Sequence, residues 1–544
     1  MSVITPSSNV TLLKCPLEMD NNHQLNFSNT TAQHNYFKSL PKIDIGDDFT
    51  YIRQDNVIRV EAGIDEILHY NYVMYQNEAY SNKWFYAFIT DMVYLNDNCT
   101  AIYFKLDTWQ TWQFDLTFRK CYVEREHVNN DTYGLHTIPE NFELGEYICN
   151  KASQWEYTNR EYMICMQVTQ LPNNYDATNI TNKYYNRLVN GCWVLGFPYS
   201  TTGVNRMNKV IKWYDSDDKA DAILALYVAP KGIINWNEVS VNLGSLGTIP
   251  ISFPEDSNYS TIITYETFEP LTTLNGYAPK NNKLRCYPFN YLSVSNCNGD
   301  IYTYNFEEFN SSQSGGANIY PKFEIDGALT QGCAVKMFPL NYNQTTNNIV
   351  TGWDYGINGG KFPILSWTSD YYLNWQAQNG KYIQTKTAID AAGFGLGIIG
   401  GMFTGYANAS TGLLSMASSV ADTMQQVRAA QMVPDQAKGN TATGDLNFSF
   451  GADRFIAKQM CIKAEYAKII DDYFTMYGYK VNTLKVPNIT GRQNWNYVKT
   501  IDVNIIGDVP QDDIAEIKSY FDRGITIWHN PSTFLDYNQS NNIV

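Results

Sequence analysis

NKWFYAFITDMVYLNDNCTAIYFKLDTWQTW occupies residues 82–112. Two runs rich in Trp, Phe, Tyr and Ile, partly alternating with polar residues, flank Asn96-Asp97-Asn98. Aromatic and β-branched residues suit a pleated, half-buried surface. Asn and Asp tolerate the left-handed backbone of a tight turn. The stretch therefore predicts a β-hairpin in a sheet or barrel, and the chain from Tyr51 to about Val128 reads as β around it.

The whole composition extends this reading. The chain has 544 residues, too many for one hydrophobic core, which predicts two to four domains. Hydrophobic residues reach 44% and charged residues only 17%, below the usual quarter. With 41 Tyr, 26 Phe and 12 Trp, the balance favours mainly β structure with some α and long polar loops. The formal net charge of -15 argues against tight nucleic-acid binding, which relies on Lys and Arg. An acidic wall instead lets nucleic acid slide past. The start, MSVITPSSNVTLLKCPLEMD, has no basic and then apolar pattern of a signal peptide. The ten cysteines are scattered without a C-x-x-C, which predicts thiols, mostly buried, in a reducing cytoplasm.

Further along, EYMICMQVTQ and GCWVLGFPYS read as strands, and KADAILALYVAP as a short helix or a buried strand. Long Asn/Thr/Tyr/Gly stretches separate such runs, and no internal repeat emerges. VADTMQQVRAAQM reads as a polar helix ending before Pro434, followed by a flexible link, KGNTATGDLNFSFGAD. In AKQMCIKAEYAKIIDDYFTMYG, Ile462, Tyr466, Ile469, Tyr473 and Tyr477 mark one helical face, with Gly478 at its end. A last helix carries Ile514, Ile517, Tyr520 and Phe521, capped by Asp512 or Asp513 and closed by Gly524. ITIWH then reads as a strand.

No catalytic constellation stands out. The six histidines lie in no metal-ligand spacing, and there is no G-x-S-x-G, Walker loop or Cys/His signature. In CYVEREHV a regular strand puts Glu124 and Glu126 on one face and His127 on the other, a solvated strand with one paired histidine. Gly393 to Gly397 is no dinucleotide fingerprint, for it lacks the strand-loop-helix context. These residues predict no enzyme, no cofactor and no metal.

One segment departs from the rest. Ala391 to Ala421 contains no Asp, Glu, Lys or Arg, in a chain of mean hydropathy -0.35. Its large apolar residues are Phe394, Leu396, Ile398, Ile399, Met402, Phe403, Leu413, Leu414 and Met416. Three readings compete. A buried or plugging helix is disfavoured by glycines, each costing about 1 kcal/mol against Ala. A permanent membrane anchor has the length, but its hydrophobicity is marginal and its basic flanks thin. Conditional insertion, with storage in a soluble assembly before delivery to lipid, fits best. Gly393, Gly397, Gly401, Gly405 and Ala409 recur every fourth residue, the small-xxx-small face along which membrane helices approach.

Four stretches resemble the tail knob, or distal tail tube, protein of phi-29-like short-tailed phages of Gram-positive bacteria. They are YVMYQNEAYSNKWFYAFIT at Tyr72–Thr90, DTWQTWQFDLTF at Asp107–Phe118 with REHV at Arg125–Val128, AEYAKIIDDYFTMYGYKVNTLKVPNITGRQNWNYVKT at Ala464–Thr500, and GITIWH at Gly524–His529. They lie in family order and cover about the first 130 and last 90 residues. The resemblance implies a multi-domain β-barrel or sandwich body that forms a tube, with inserted knob domains and a long hydrophobic loop. It divides the chain into an N-terminal tube domain (1–150), outer β-rich knob (151–380), plug loop (387–432) and C-terminal α+β part (440–544). It also implies a hexamer in the virion tail, in contact with other tail and lower-collar proteins, with double-stranded DNA passing through without specific binding. The loops would plug the exit and then penetrate the host cytoplasmic membrane. Synthesis in host cytoplasm fits the reduced cysteines. The rival function is host cell-wall adsorption, through Tyr and Trp of the middle region stacking on sugars.

Overall fold

The computed structural model describes residues 8–49, 56–77, 81–156, 161–172, 183–184, 187–188, 192–216, 219, 222–254, 268–309, 321–329, 333–343, 353–363, 367–368, 437–438 and 453–544. The protein is mainly β with some α, spread over several sheets. Its chain forms two units. One combines Met1–Glu146, Thr272–Phe289 and Ile462–Val544, and the other combines Tyr147–Leu271 and Asn290–Cys461.

In the first unit the predicted hairpin is present. Trp84–Asn96 pairs antiparallel with Cys99–Leu106, closing at Asn96 opposite Cys99. It lies in a six-stranded sheet ordered Lys42–Phe49, Ser8–Leu13, Tyr72–Asn77, Trp84–Asn96, Cys99–Leu106, Val57–Val60. Alternate residues of neighbouring strands enter two different cores. Val73, Tyr75, Phe85 and Ala87 pack with Val10, Leu12, Ile102 and Phe104. Tyr72, Met74, Tyr86 and Phe88 pack with Phe37, Trp495 and Trp528. A sheet covered on both faces needs apolar side chains at both parities, which is why WFYAF alternates only in part. Trp495 and Trp528 come from a second, five-stranded sheet: His23–Leu25, Ile525–Trp528, Trp495–Ile501, Cys121–Glu126, Tyr479–Lys485. Strands from the two ends of the chain thus share one ladder.

In the second unit a five-stranded sheet runs Ile223–Pro230, Tyr162–Val168, Trp193–Pro198, Thr248–Pro254, Trp236–Asn242. Val204, Met207, Val210 and Tyr214 of helix Thr201–Ser216 enter the same large core. ILALYVAP is therefore the buried strand of the two alternatives. A four-stranded sheet (Tyr147–Glu156, Arg454–Ile462, Asn290–Ser295, Ile301–Tyr304) and a three-stranded sheet (Phe323–Ala328, Ala334–Pro339, Ile357–Lys361) complete it.

Several local expectations need correction. DTWQTW is no strand: Asp107 caps a short helix, Thr108–Trp112, accepting the Gln110 N–H at 3.0 Å. AKQMCI belongs to strand Arg454–Ile462, and the helix spans only Ala464–Tyr477. Its buried residues are Ala467, Ile470, Asp471 and Phe474, whereas Ile469 faces solvent. Gly478 does end it, at φ 65°. The helix Gln511–Arg523 buries all four expected residues and stops at Gly524, with Asp512 and Asp513 in its first turn rather than at its cap. The polar helix expected at VADTMQQVRAAQM lies outside the described residues.

Candidate functional site

The apolar segment is bracketed by a small ladder in the second unit. Trp367 pairs with Lys438, and Thr368 with Ala437, antiparallel. This pairing brings together the residues that flank 369–436, so the charge-free stretch lies in sequence between two paired ends. Every residue assigned to it lies outside the described residues: Phe394, Leu396, Ile398, Ile399, Met402, Phe403, Leu413, Leu414 and Met416 of the insertion set, and Gly393, Gly397, Gly401, Gly405 and Ala409 of the small-residue face. Among the described residues no helix is long and apolar enough to cross a membrane.

The titratable residues of CYVEREHV build structure. CYVEREHV carries a bulge. Lys499 faces Arg125 and Thr500 faces Val123, leaving Glu124 as the extra residue. The bulge reverses the face beyond it, so Glu124 and Glu126 do not share a side, contrary to the regular-strand expectation. Glu126 is fully buried, bound by the Lys485 ammonium and by the Asn488 N–H at 2.9 Å. Glu124 pairs with Lys499 at 2.9 Å. His127 is buried rather than solvated. The Tyr497 N–H donates to its Nδ1 at 2.7 Å, so Nε2 carries the hydrogen and donates to the Thr475 carbonyl at 3.0 Å. Burial and the nearby Arg492 charge push its pKa down to about 3. A histidine so held stays neutral and has no open nitrogen for catalysis.

Two further networks escape local sequence reading. Asp107, fully buried, accepts from Tyr72 Oη at 2.9 Å and, more weakly, from Gln24 Nε2 at 3.4 Å. Desolvation lifts its pKa to about 6. Asp471, buried on helix Ala464–Tyr477, accepts from Tyr277 Oη, the Lys280 and Asn281 N–H groups and Asn281 Nδ2 at 2.7–3.1 Å. Glu140 binds both Lys283 and Arg125. Together Asp471 and Glu140 clamp Thr272–Phe289 to the rest of the first unit. Buried charges that are paired on all sides favour a structural role. None of the ten cysteines forms a disulfide, and seven are buried. Among the described residues no cluster of His, Cys, Asp and Glu is arranged to hold a metal.

Comparison with known proteins agrees with this architecture. The family model described as "Bacillus phage phi29, Tail knob protein gp9, C-terminal domain" matches residues 254–542, and "Caudoviral major tail protein N-terminus" matches residues 6–117. Tail knob protein gp9 of Bacillus phage B103 is 27% identical, over 92% of this chain and 93% of its own. Tail knob protein gp9 of Bacillus phage phi29 is 26% identical, over 95% and 96%. The structure of the bacteriophage C1 tail knob protein, gp12, shares the fold at TM-score 0.56 and 14% identity, covering 99% of this chain and 100% of that one. With more than half of its length matched by the gp9 family model, the chain belongs to the phi29 gp9 tail knob family, whose members are structural tail proteins and not enzymes.

Proposed function

We propose that the protein forms the distal knob of a short phage tail, as a ring of identical subunits, six by family resemblance, enclosing a conduit for DNA. The first unit is the tube body, and the middle of the chain, about 151–380, makes the outer knob. The loop at 387–432 plugs the exit until ejection and then enters the host cytoplasmic membrane. One observation carries this reading: a tail knob family chain holds a charge-free, glycine-laddered stretch that lies in sequence between the paired ends Trp367–Thr368 and Ala437–Lys438.

The physical argument is storage. A greasy segment exposed on a soluble protein is an aggregation hazard, and enclosure in a shared lumen removes it from water. Each copy inserts weakly alone, but tethered copies act at high effective concentration. The net charge of -15 suits a wall past which DNA slides without sticking. The test is dye release from liposomes by the full chain and by a variant lacking 391–421. Release by the full chain alone is the expected result. Equal release from both would refute the membrane role.

A further inference from the structure

Two apolar surfaces of the first unit are exposed. The first is the tip of the hairpin Trp84–Leu106. Tyr94 and Leu95 are 52% and 45% exposed, and Val93 beside them is also exposed. Three consecutive large apolar side chains in water are unusual on a strand, where one face normally meets a core. The second is a row across three adjacent strands. Tyr122 faces Leu484 on one side and Ile501 on the other. These residues are 39%, 67% and 56% exposed. Neighbouring strands lie about 4.8 Å apart, so the three side chains form one continuous strip.

The charges match. Residues 91–99 carry Asp91 and Asp97 and no Lys or Arg. Beside the strip, Glu124 and Glu126 are neutralised by Lys499 and Lys485. Beside it in sequence the exposed charges are Arg119, Lys120 and Asp502, while Asp522, half-buried, is taken up by the Thr500 hydroxyl and the Val503 N–H. Among the exposed charges, the apolar tip is acidic and the edge of the apolar strip is basic.

We propose that the tip of one copy seats on the Leu484–Tyr122–Ile501 strip of the next copy of this chain. The proposal rests on the ring reading above and assigns its junction. The tip and the strip are different surfaces of one unit, so the contact is head-to-tail. Such a contact leaves one tip and one strip open at the ends of any chain of copies, and only closure into a ring covers all of them.

The test uses two full-length variants, one with Tyr94→Ser and Leu95→Glu, the other with Leu484→Glu and Ile501→Glu. All four positions are exposed, and both variants should keep the wild-type far-UV circular dichroism and a cooperative unfolding transition, at a lower temperature than the ring because assembly stabilises the folded state. Masses are read by native mass spectrometry, with ring closure seen by negative-stain imaging. The wild type should give a closed ring and each variant a monomer. An equimolar mixture of the two variants should give a one-to-one pair and nothing larger, because one intact tip remains for one intact strip. Rings from either variant would overturn the junction while leaving the ring reading in place. A mixture that stays monomeric would overturn it too. Variants that keep their rings but no longer join purified tails would assign the surfaces to another tail protein, also against the proposal. A wild type without rings would overturn both.

Discussion

His127 shows how far one side chain's surroundings decide its chemistry. Its two nitrogens are committed, one accepting from a backbone N–H and one donating to a carbonyl, and a second proton on Nδ1 would face the Tyr497 donor. An unfolded histidine takes up its proton near pH 6.5, and this one only near 3. Between those values the unfolded chain binds more protons, so stability is full above pH 6.5 and falls as pH drops, by about 1.4 kcal/mol per pH unit for each such group. His529, lowered by burial to about 4, acts in the same direction. Asp107 opposes them: with its folded pKa raised to about 6, it adds stability on acidification from about pH 6 downward. Two protons against one leave a net loss below pH 6. Thermal unfolding between pH 7 and 5 should fall less steeply for His127→Gln than for the wild type, and parallel curves would rule out this assignment. Gly478 makes a second residue-level case. A Cβ there would lie 2.1 Å from the Glu126 carbonyl oxygen, whereas Gly244, at the same φ of 65°, has open space around it. Gly244→Ala should cost about 1 kcal/mol, the ordinary left-handed penalty. Gly478→Ala must also move backbone and should cost clearly more, as denaturant midpoints of the two variants will show.

Among the elements, those written in local signals were legible in the sequence. The hairpin around Asn96–Asn98, the strand in ITIWH and the helix with Ile514, Ile517, Tyr520 and Phe521 each follow from a turn signal or a short apolar period. Misreadings arise where a partner lies far away in the chain. The helix Ala464–Tyr477 presents Asp471 to the interior, which an apolar-period reading assigns to solvent. Its partners, Tyr277, Lys280 and Asn281, are nearly two hundred residues earlier. The bulge at Glu124 is likewise set by pairing with Trp495–Ile501, and nothing in CYVEREHV announces it. The candidate site was legible only as composition, a charge-free stretch with a glycine period, since its residues lie outside the described ones. The Asp471 clamp is testable as an element. Asp471→Ala strands several buried donors at once and should destabilise the docking of Thr272–Phe289 by about 3 kcal/mol. Trypsin should then cut at Lys280, Lys283 or Arg285 in the variant much faster than in the wild type. Equal cleavage rates would mean that Glu140, with Lys283 and Arg125, suffices to hold the segment.

For the whole molecule, the division of labour between body and loop sets the sharpest expectation. In the first unit, strands from both ends of the chain close one ladder, and the two cores described there are built from residues near its two ends. Changes confined to the stretch should therefore leave folding and ring assembly alone. The proposed membrane step makes a different demand on the same residues. If several copies pack side by side in lipid, Gly397 and Gly401 sit where backbones approach most closely, and a leucine at either position holds neighbouring helices apart. Leucine is also more apolar than glycine, so Gly397→Leu with Gly401→Leu should strengthen partition of a single loop into lipid while weakening association between loops. The two effects separate the models. If greasiness alone drives permeabilisation, the double variant should release liposome dye at least as fast as the wild type. If close packing of the glycine face makes the pore, release should fall several-fold although binding to the same liposomes, read by co-sedimentation, is retained or increased. Release unchanged at equal binding would show the four-residue spacing to be incidental and leave the loop as a plug whose exit requires no ordered pore.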